Sequence, residues 1–144
     1  MTYIARFVSA RFVPVHMPIG SRVPMYCTGS GRAYLSALPE AEALTLVQSS
    51  TRVAHTPHTH TEVDDIMASL QTVREYGYAV NTQELFLGDM TIAAPVIGGN
   101  GRPVAAGHVV APTSRWTRAD AESQLAPALM QCVQVLSNSA RSLG

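Results

Sequence analysis

The residues most able to do chemistry in this chain of 144 form one run, Tyr26-Cys27-Thr28-Gly29-Ser30-Gly31-Arg32-Ala33-Tyr34-Leu35. Small polar residues and two glycines lead straight into an apolar helix pattern, Ala33, Leu35, Ala37, Leu38. A helix start leaves backbone N–H groups without intrahelical acceptors, and the helix dipole favours negative charge there. Glycine also lets a ligand approach the backbone closely. Thr28, Gly29 and Ser30 are therefore candidates for holding a small anion such as a carboxylate. An ordinary glycine-rich helix cap accounts for the same residues.

His108 interrupts the apolar run Val104-Ala105-Ala106-Gly107-His108-Val109-Val110. On a strand His108 and Val110 face one way and Val109 the other. A polar group on a mostly buried strand needs a hydrogen-bond partner, either another side chain or a ligand in a cavity. Asn81 and Thr91 are short polar residues at the edges of apolar strands, and both can converge with His108 on the helix start.

Other chemistry is weaker. His55, His58 and His60 crowd one loop, and clustered histidines bind zinc or nickel, but no second cluster supplies further ligands. Cys27 beside a helix start could be an activated thiolate, yet catalysis also needs a positioned base, for which His16 and His108 are the candidates. A buried inert thiol is the simpler reading. Asp64 and Asp65 complement a helix dipole, and Glu84 and Gly88 flank a tight connector in which a Glu-to-backbone bond suffices. No catalytic residue and no metal site is assigned.

These residues need elements to hold them. Tyr3 to Val8 and Phe12 to Met17 read as strands, rich in aromatic and β-branched residues. Pro18 to Pro24 is a loop. A helix follows from Ser30 to Leu38, and Pro39 opens another through Val47. His55 to Thr61 is a polar loop. Thr61-Glu62-Val63-Asp64 resembles a capping box, ahead of a helix with Val63, Ile66, Met67, Leu70 and Val73 at 3.6-residue spacing, which Gly77 ends. Tyr78 to Asn81 is a short strand, and Glu84 to Gly88 a turn-rich connector. Thr91 to Ile97 and Pro103 to Ala111 are strands around a Gly98-Gly99-Asn100-Gly101 turn, apolar on both faces and so expected at the centre of a covered sheet. Thr117 caps a last helix with an apolar stripe of Leu125, Leu129, Cys132, Leu136, Ala140 and Leu143, with a kink or late start at Pro127. Strands, helices, strands, helix suggest an α+β fold.

Composition sets bounds. The length suits one domain with a proper core. Hydrophobic residues make up 47% and charged residues 14%, so some apolar surface is expected in an oligomer contact. Net charge is zero, so nothing suggests non-specific nucleic-acid binding through the domain as a whole. All ten basic residues are arginine, a compositional bias first. Cys27 and Cys132 lack a Cys-x-x-Cys spacing and no secretory signal precedes them, so a reduced, cytoplasmic protein is expected. No apolar run reaches the roughly 18 residues of a membrane span.

Taken in order, the pieces resemble the C-terminal effector-binding domain of the IclR family of bacterial transcriptional regulators. The resemblance is carried by Gly20 to Pro24, Gly31 to Pro39, Arg74-Glu75-Tyr76-Gly77-Tyr78-Ala79, Glu84-Leu85-Phe86-Leu87-Gly88, Ile92 to Val96 and Val104-Ala105-Ala106. Around Tyr26-Cys27-Thr28 it is similar to the protocatechuate and β-ketoadipate type. The resemblance implies a GAF-like fold, a curved antiparallel sheet with helices on its faces closing over a cavity. It implies sensing of a small organic acid, no cofactor, and homo-oligomers, dimers or dimers of dimers. It places the ligand carboxylate on the backbone amides of Gly29 and Ser30 and brings Asn81, Thr91, His108 and Val110 to the pocket.

The departures from the family are specific. Members often carry an acidic residue at the position of Asn81, cysteine at Thr91, and serines at His108 and Val110. His108 could add positive charge near neutral pH beside a carboxylate. Family regulators begin with a winged helix-turn-helix domain, whereas residues 1–144 are expected to start within the sensor domain's first sheet. DNA would then be reached only through that missing domain. Three functions follow from the sequence: a carboxylate sensor coupled to oligomer arrangement, a hydrolase using Cys27 or His108, or an oligomerisation module with a vestigial, filled pocket.

Overall fold

The computed structural model describes residues 1–7 and 17–143. Among these residues five helices and three strands follow one another as α1 (Gly29–Ser36), α2 (Glu40–Ser49), α3 (Val63–Tyr76), β1 (Ala79–Thr82), β2 (Met90–Ile97), β3 (Pro103–Val110), α4 (Arg118–Gln124) and α5 (Ala126–Ser142). The fold is α+β, as the sequence suggests. Among the described residues the sheet is antiparallel throughout, in the order β1-β2-β3.

The two sheet faces are covered by different helices. Met90, Ile92, Ala94 and Val96 of β2 pack with Ala121, Ala126, Leu129 and Val133 of α4 and α5. On the opposite face Ala79 and Ala93 meet Ala33 of α1 and Val73 of α3. Beyond α1 lies a further core in which Tyr26, Cys27, Leu35 and Leu38 meet Ala43, Val47, Ile66 and Leu70. The small residues Ala33, Ala79 and Ala93 let α1 lie close on the sheet, which fixes where its N-terminus ends.

Local signals set most boundaries. Gly77 ends α3 in the left-handed region at φ +82°, which glycine alone adopts without strain. Thr117 caps α4, its Oγ1 accepting from the Asp120 N–H at 3.1 Å. The Gly98–Gly101 turn closes with Gly98 N–H donating to Arg102 O at 2.8 Å.

Other expectations need correction. Of the expected strand Tyr3 to Val8, residues 3–7 form no strand; the segment is held by an isolated Thr2–Arg22 bridge and by Tyr3 N–H donating to Ser21 O at 3.0 Å. The expected strand from Phe12 lies outside the described residues up to His16. Thr61 is not the cap of α3; Glu62 is, without a side-chain capping bond, and the Thr61 carbonyl accepts from Arg52 Nε at 2.8 Å. β3 is an edge strand among the described residues and its only buried residue is Pro103, so it is less covered than its apolar sequence suggests.

The last helix is two helices, with Leu125 between α4 and α5 and Pro127 in the first turn of α5. That restart sets a new phase. The buried stripe of α5 is Ala126, Leu129, Val133 and Ser137, while Cys132, Leu136 and Leu143 are exposed. Ser137 is buried for a reason: a register shift between Val96 and Ile97 interrupts the β2–β3 pairing, and Ser137 Oγ accepts the Ile97 N–H at 3.0 Å.

Candidate functional site

Register brings the polar strand residues together. Asn81, Thr91 and Val110 stand opposite one another in one row across β1, β2 and β3. Ala79, Ala93 and His108 form the next row on the same face, the face covered by α1. The N-terminus of α1 lies directly over this patch. A Cβ at Gly29 would stand 2.5 Å from Thr91 Oγ1, so only glycine lets the helix start sit this close. A Cβ at Gly31 would run into the Met25 backbone. Thr28, Gly29, Ser30, Thr91, His108 and Val110 therefore share one neighbourhood.

The cap leaves donors over. The Thr28 Oγ1 accepts the Gly31 N–H at 3.2 Å and donates to Pro24 O at 2.6 Å, while the Thr28 carbonyl takes the Arg32 N–H at 3.0 Å. The N–H groups of Gly29 and Ser30 have no acceptor among the described residues, although Gly29 is buried. Buried N–H groups without an acceptor are rare.

His108 is engaged at both ring nitrogens. Ser30 Oγ lies 2.9 Å from Nδ1 and the Tyr3 hydroxyl 3.3 Å from Nε2, with the Tyr3 ring edge-on to the imidazole at 5.3 Å between centroids. A neutral imidazole donates at one nitrogen and accepts at the other, so both contacts are compatible with it. Burial pushes the His108 pKa below its ordinary value. The imidazole is therefore neutral at pH 7, and the positive charge the sequence allows for is absent in the free protein.

Asn81 serves a different group. Its Nδ2 donates to Glu84 Oε1 at 3.0 Å. Glu84 is buried, as is Arg32, and the two form a bidentate pair at 2.7 and 2.8 Å. Arg32 Nε also donates to Tyr26 O at 3.0 Å, and the His60 N–H donates to Glu84 Oε2 at 3.1 Å. The expectation of a Glu84-to-backbone bond within the connector needs correction: Glu84 accepts the His60 N–H instead, the Gly88 N–H goes to Gln83 Oε1 at 2.8 Å, and Glu84 belongs to a larger network tying α1, β1 and the histidine loop together. Sequence reasoning missed this pair and also Tyr3. The available signal was an arginine one residue before the wholly buried Ala33.

The remaining candidates are dispersed. His60 Nδ1 lies 3.2 Å from Glu84 Oε1, and His55 stacks on Tyr26. No group of three His, Cys, Asp or Glu side chains is placed to hold a metal among the described residues. His16 lies outside them. Cys27 is wholly buried, and burial above all pushes its thiol up to about 11, so it is protonated at neutral pH. An open groove of about 870 Å³ follows the edge of β1 between α3 and α4, past His58, Tyr76, Tyr78, Arg118 and Glu122, with Arg32 and Glu84 at its inner side. None of Thr28, Gly29, Ser30, Asn81, Thr91, His108 and Val110 lines it. No helix among the described residues is long and apolar enough to cross a membrane.

Comparison with known proteins gives this arrangement its relatives. The chain is 33% identical over 129 residues to the Pca regulon regulatory protein of Pseudomonas putida, covering 89% of the chain but 44% of that protein. Its fold matches the crystal structure of Thermotoga maritima IclR with a TM-score of 0.92 at 26% identity, over 97% of this chain and 56% of the other. It also matches a double mutant of the PobR inducer-binding domain from Acinetobacter, solved with 3-hydroxybenzoic acid, with a TM-score of 0.80 at 28% identity over 90% and 74% of the two chains. The chain thus spans less than half the length of the curated relative and about half to three quarters of the two solved chains. The family model for the C-terminal part of bacterial transcriptional regulator IclR matches residues 1–138, and the chain belongs to the IclR family.

Proposed function

We propose that this domain senses a small organic carboxylate whose oxygens accept the Gly29 and Ser30 N–H groups. The observation that carries the reading is that these two amides lack an acceptor at the start of a helix, over a strand row that includes Thr91. Charge-assisted bonds to backbone N–H groups are strong, and the α1 dipole adds to them. Ser30 and His108 supply a hydroxyl and a neutral imidazole beside that position. One relative supports the class: the PobR inducer-binding domain was solved with 3-hydroxybenzoic acid.

In the intact regulator the ligand would act by binding one quaternary arrangement more tightly than another. A coupling of about 1–3 kcal/mol is enough for useful regulation. The assembly would be a dimer or a dimer of dimers of this domain, with operator contact made by a winged helix-turn-helix portion of the intact regulator. Exposed Ile4, Phe7 and Ile19 supply apolar surface for such contacts.

A second reading is favoured by one observation. Both His108 ring nitrogens already have protein partners, as a filled, vestigial pocket in an oligomerisation module would have. Calorimetry with a panel of small carboxylates separates the two. The sensor reading expects saturable binding by wild type and none by Ser30→Asp, where like charge repels the ligand. Absence of binding by every acid, in a folded chain, favours the filled pocket.

A further inference from the structure

Asp89 stands one residue before β2, and its carbonyl accepts the Gln83 N–H at 2.7 Å, extending the β1–β2 ladder. Met90 is buried against α5, so alternation turns Asp89 to the face of Thr91 and Ala93, the face that α1 covers. Asp89 is close enough to Tyr3 for its charge to raise the phenol pKa, and the Tyr3 hydroxyl in turn reaches His108. Yet the Asp89 side chain, itself partly buried, has no hydrogen bond and no ion pair among the described residues. Tyr3, the titratable group that feels the Asp89 charge, has its hydroxyl engaged by His108.

We propose that Asp89 is a specificity-determining residue of the acid site, selecting effectors that carry a hydroxyl or ammonium group in addition to one carboxylate and rejecting dicarboxylates. The inference rests on the sensor reading above. Its logic is complementarity. The α1 amides attract negative charge at one end of the ligand. A partly buried carboxylate without a partner repels a second negative charge and gains most from a donor. Burial raises Asp89 to about 6, so it remains mostly ionised at neutral pH and able to accept. Nothing in the fold requires an acid at this position, since the turn bonds of residue 89 are made by its backbone.

Matched probes test the proposal by calorimetry on the 144-residue chain. One series is benzoate, 3-hydroxybenzoate, 4-hydroxybenzoate and terephthalate; the other is butyrate, 4-aminobutyrate and succinate. In at least one series the hydroxyl or ammonium member is expected to bind wild type fivefold or more tightly than its parent, and the dicarboxylate more weakly than the parent. Asp89→Leu should bring all members of that series within about twofold. Asp89→Asn, nearly isosteric, should abolish the ammonium preference and serves if the leucine variant melts early. Equal affinities within both series for wild type, or the same ratios in wild type and variants, would overturn the proposal while leaving acid sensing intact. No binding by any probe to a folded chain would overturn the sensor reading and this inference together.

Discussion

Ser30 Oγ and His108 Nδ1 lie 2.9 Å apart, joining the first turn of α1 to the edge of the sheet. Those two residues are 78 positions apart in sequence, and no other side-chain bond ties α1 to β3 among the described residues. The contact ties the helix start to the sheet face. In the proposed sensor reading, a ligand on the Ser30 amide would act on His108 through this bond and, through His108, on Tyr3.

That link should be measurable as a coupling energy. Ser30→Ala and His108→Phe each remove one partner, and the half-buried group left behind loses its bond. A double-mutant cycle by urea denaturation should give a coupling of about 0.5–1.5 kcal/mol. Additive single effects would show that the two groups do not stabilise each other.

The buried Arg32–Glu84 pair should behave asymmetrically. Glu84→Gln leaves a guanidinium in the core with a neutral partner, and Arg32→Met leaves a buried carboxylate; each should lose about 3–5 kcal/mol. Replacing both, as Arg32→Met with Glu84→Leu, should recover much of that loss, because the pair's desolvation disappears with its charges. Thermal or urea unfolding checks both statements.

The sequence displayed the repeating parts of this fold and concealed its singular contacts. Helices α1, α2 and α3 and strands β1, β2 and β3 lie within two residues of where periodicity and glycine signals put them. Gly77 and the Gly98–Gly101 turn work by local backbone geometry, which sequence reports well. The α5 stripe was misread because its phase is set by the break at Leu125 and by Ser137 answering a bulge in β2, neither of which is local to the helix pattern. The gathering of Ser30, Thr91 and His108 follows from strand alternation, but their closeness depends on register between distant segments. The Arg32–Glu84 pair joins residues 52 apart and gave no periodic signal.

Two titrating groups near the site should oppose each other. Asp89 is raised to about 6 from 3.8 by burial, so the folded state holds its proton more tightly than the unfolded chain. Its ionisation therefore costs stability as pH rises from about 4 through 6. His108 is lowered, so the folded state holds its proton less tightly, and the stability it supports above its unfolded pKa of about 6.5 is lost as pH falls. Asp89→Asn should be more stable than wild type at pH 7.5 by roughly 1–3 kcal/mol and equal to it near pH 4. A difference independent of pH would contradict the assignment.

Gly29 and Gly31 should tolerate no side chain. Gly31→Ala collides with the Met25 backbone and should prevent folding or lower Tm by well over 10 °C. Gly29→Ala meets the Thr91 hydroxyl instead, and combining it with Thr91→Gly should restore part of the lost stability in a thermal melt.

Two amide protons, those of Gly29 and Ser30, would meet the acid, and NMR observes them directly. In a ¹⁵N-labelled 144-residue chain, adding an acid that calorimetry shows to bind should shift the Gly29 and Ser30 amide protons downfield, as new hydrogen bonds do, and Ser30→Asp should abolish those shifts. A folded chain in which every bound acid leaves these two resonances unmoved, or in which Ser30→Asp binds as wild type does, would contradict the account.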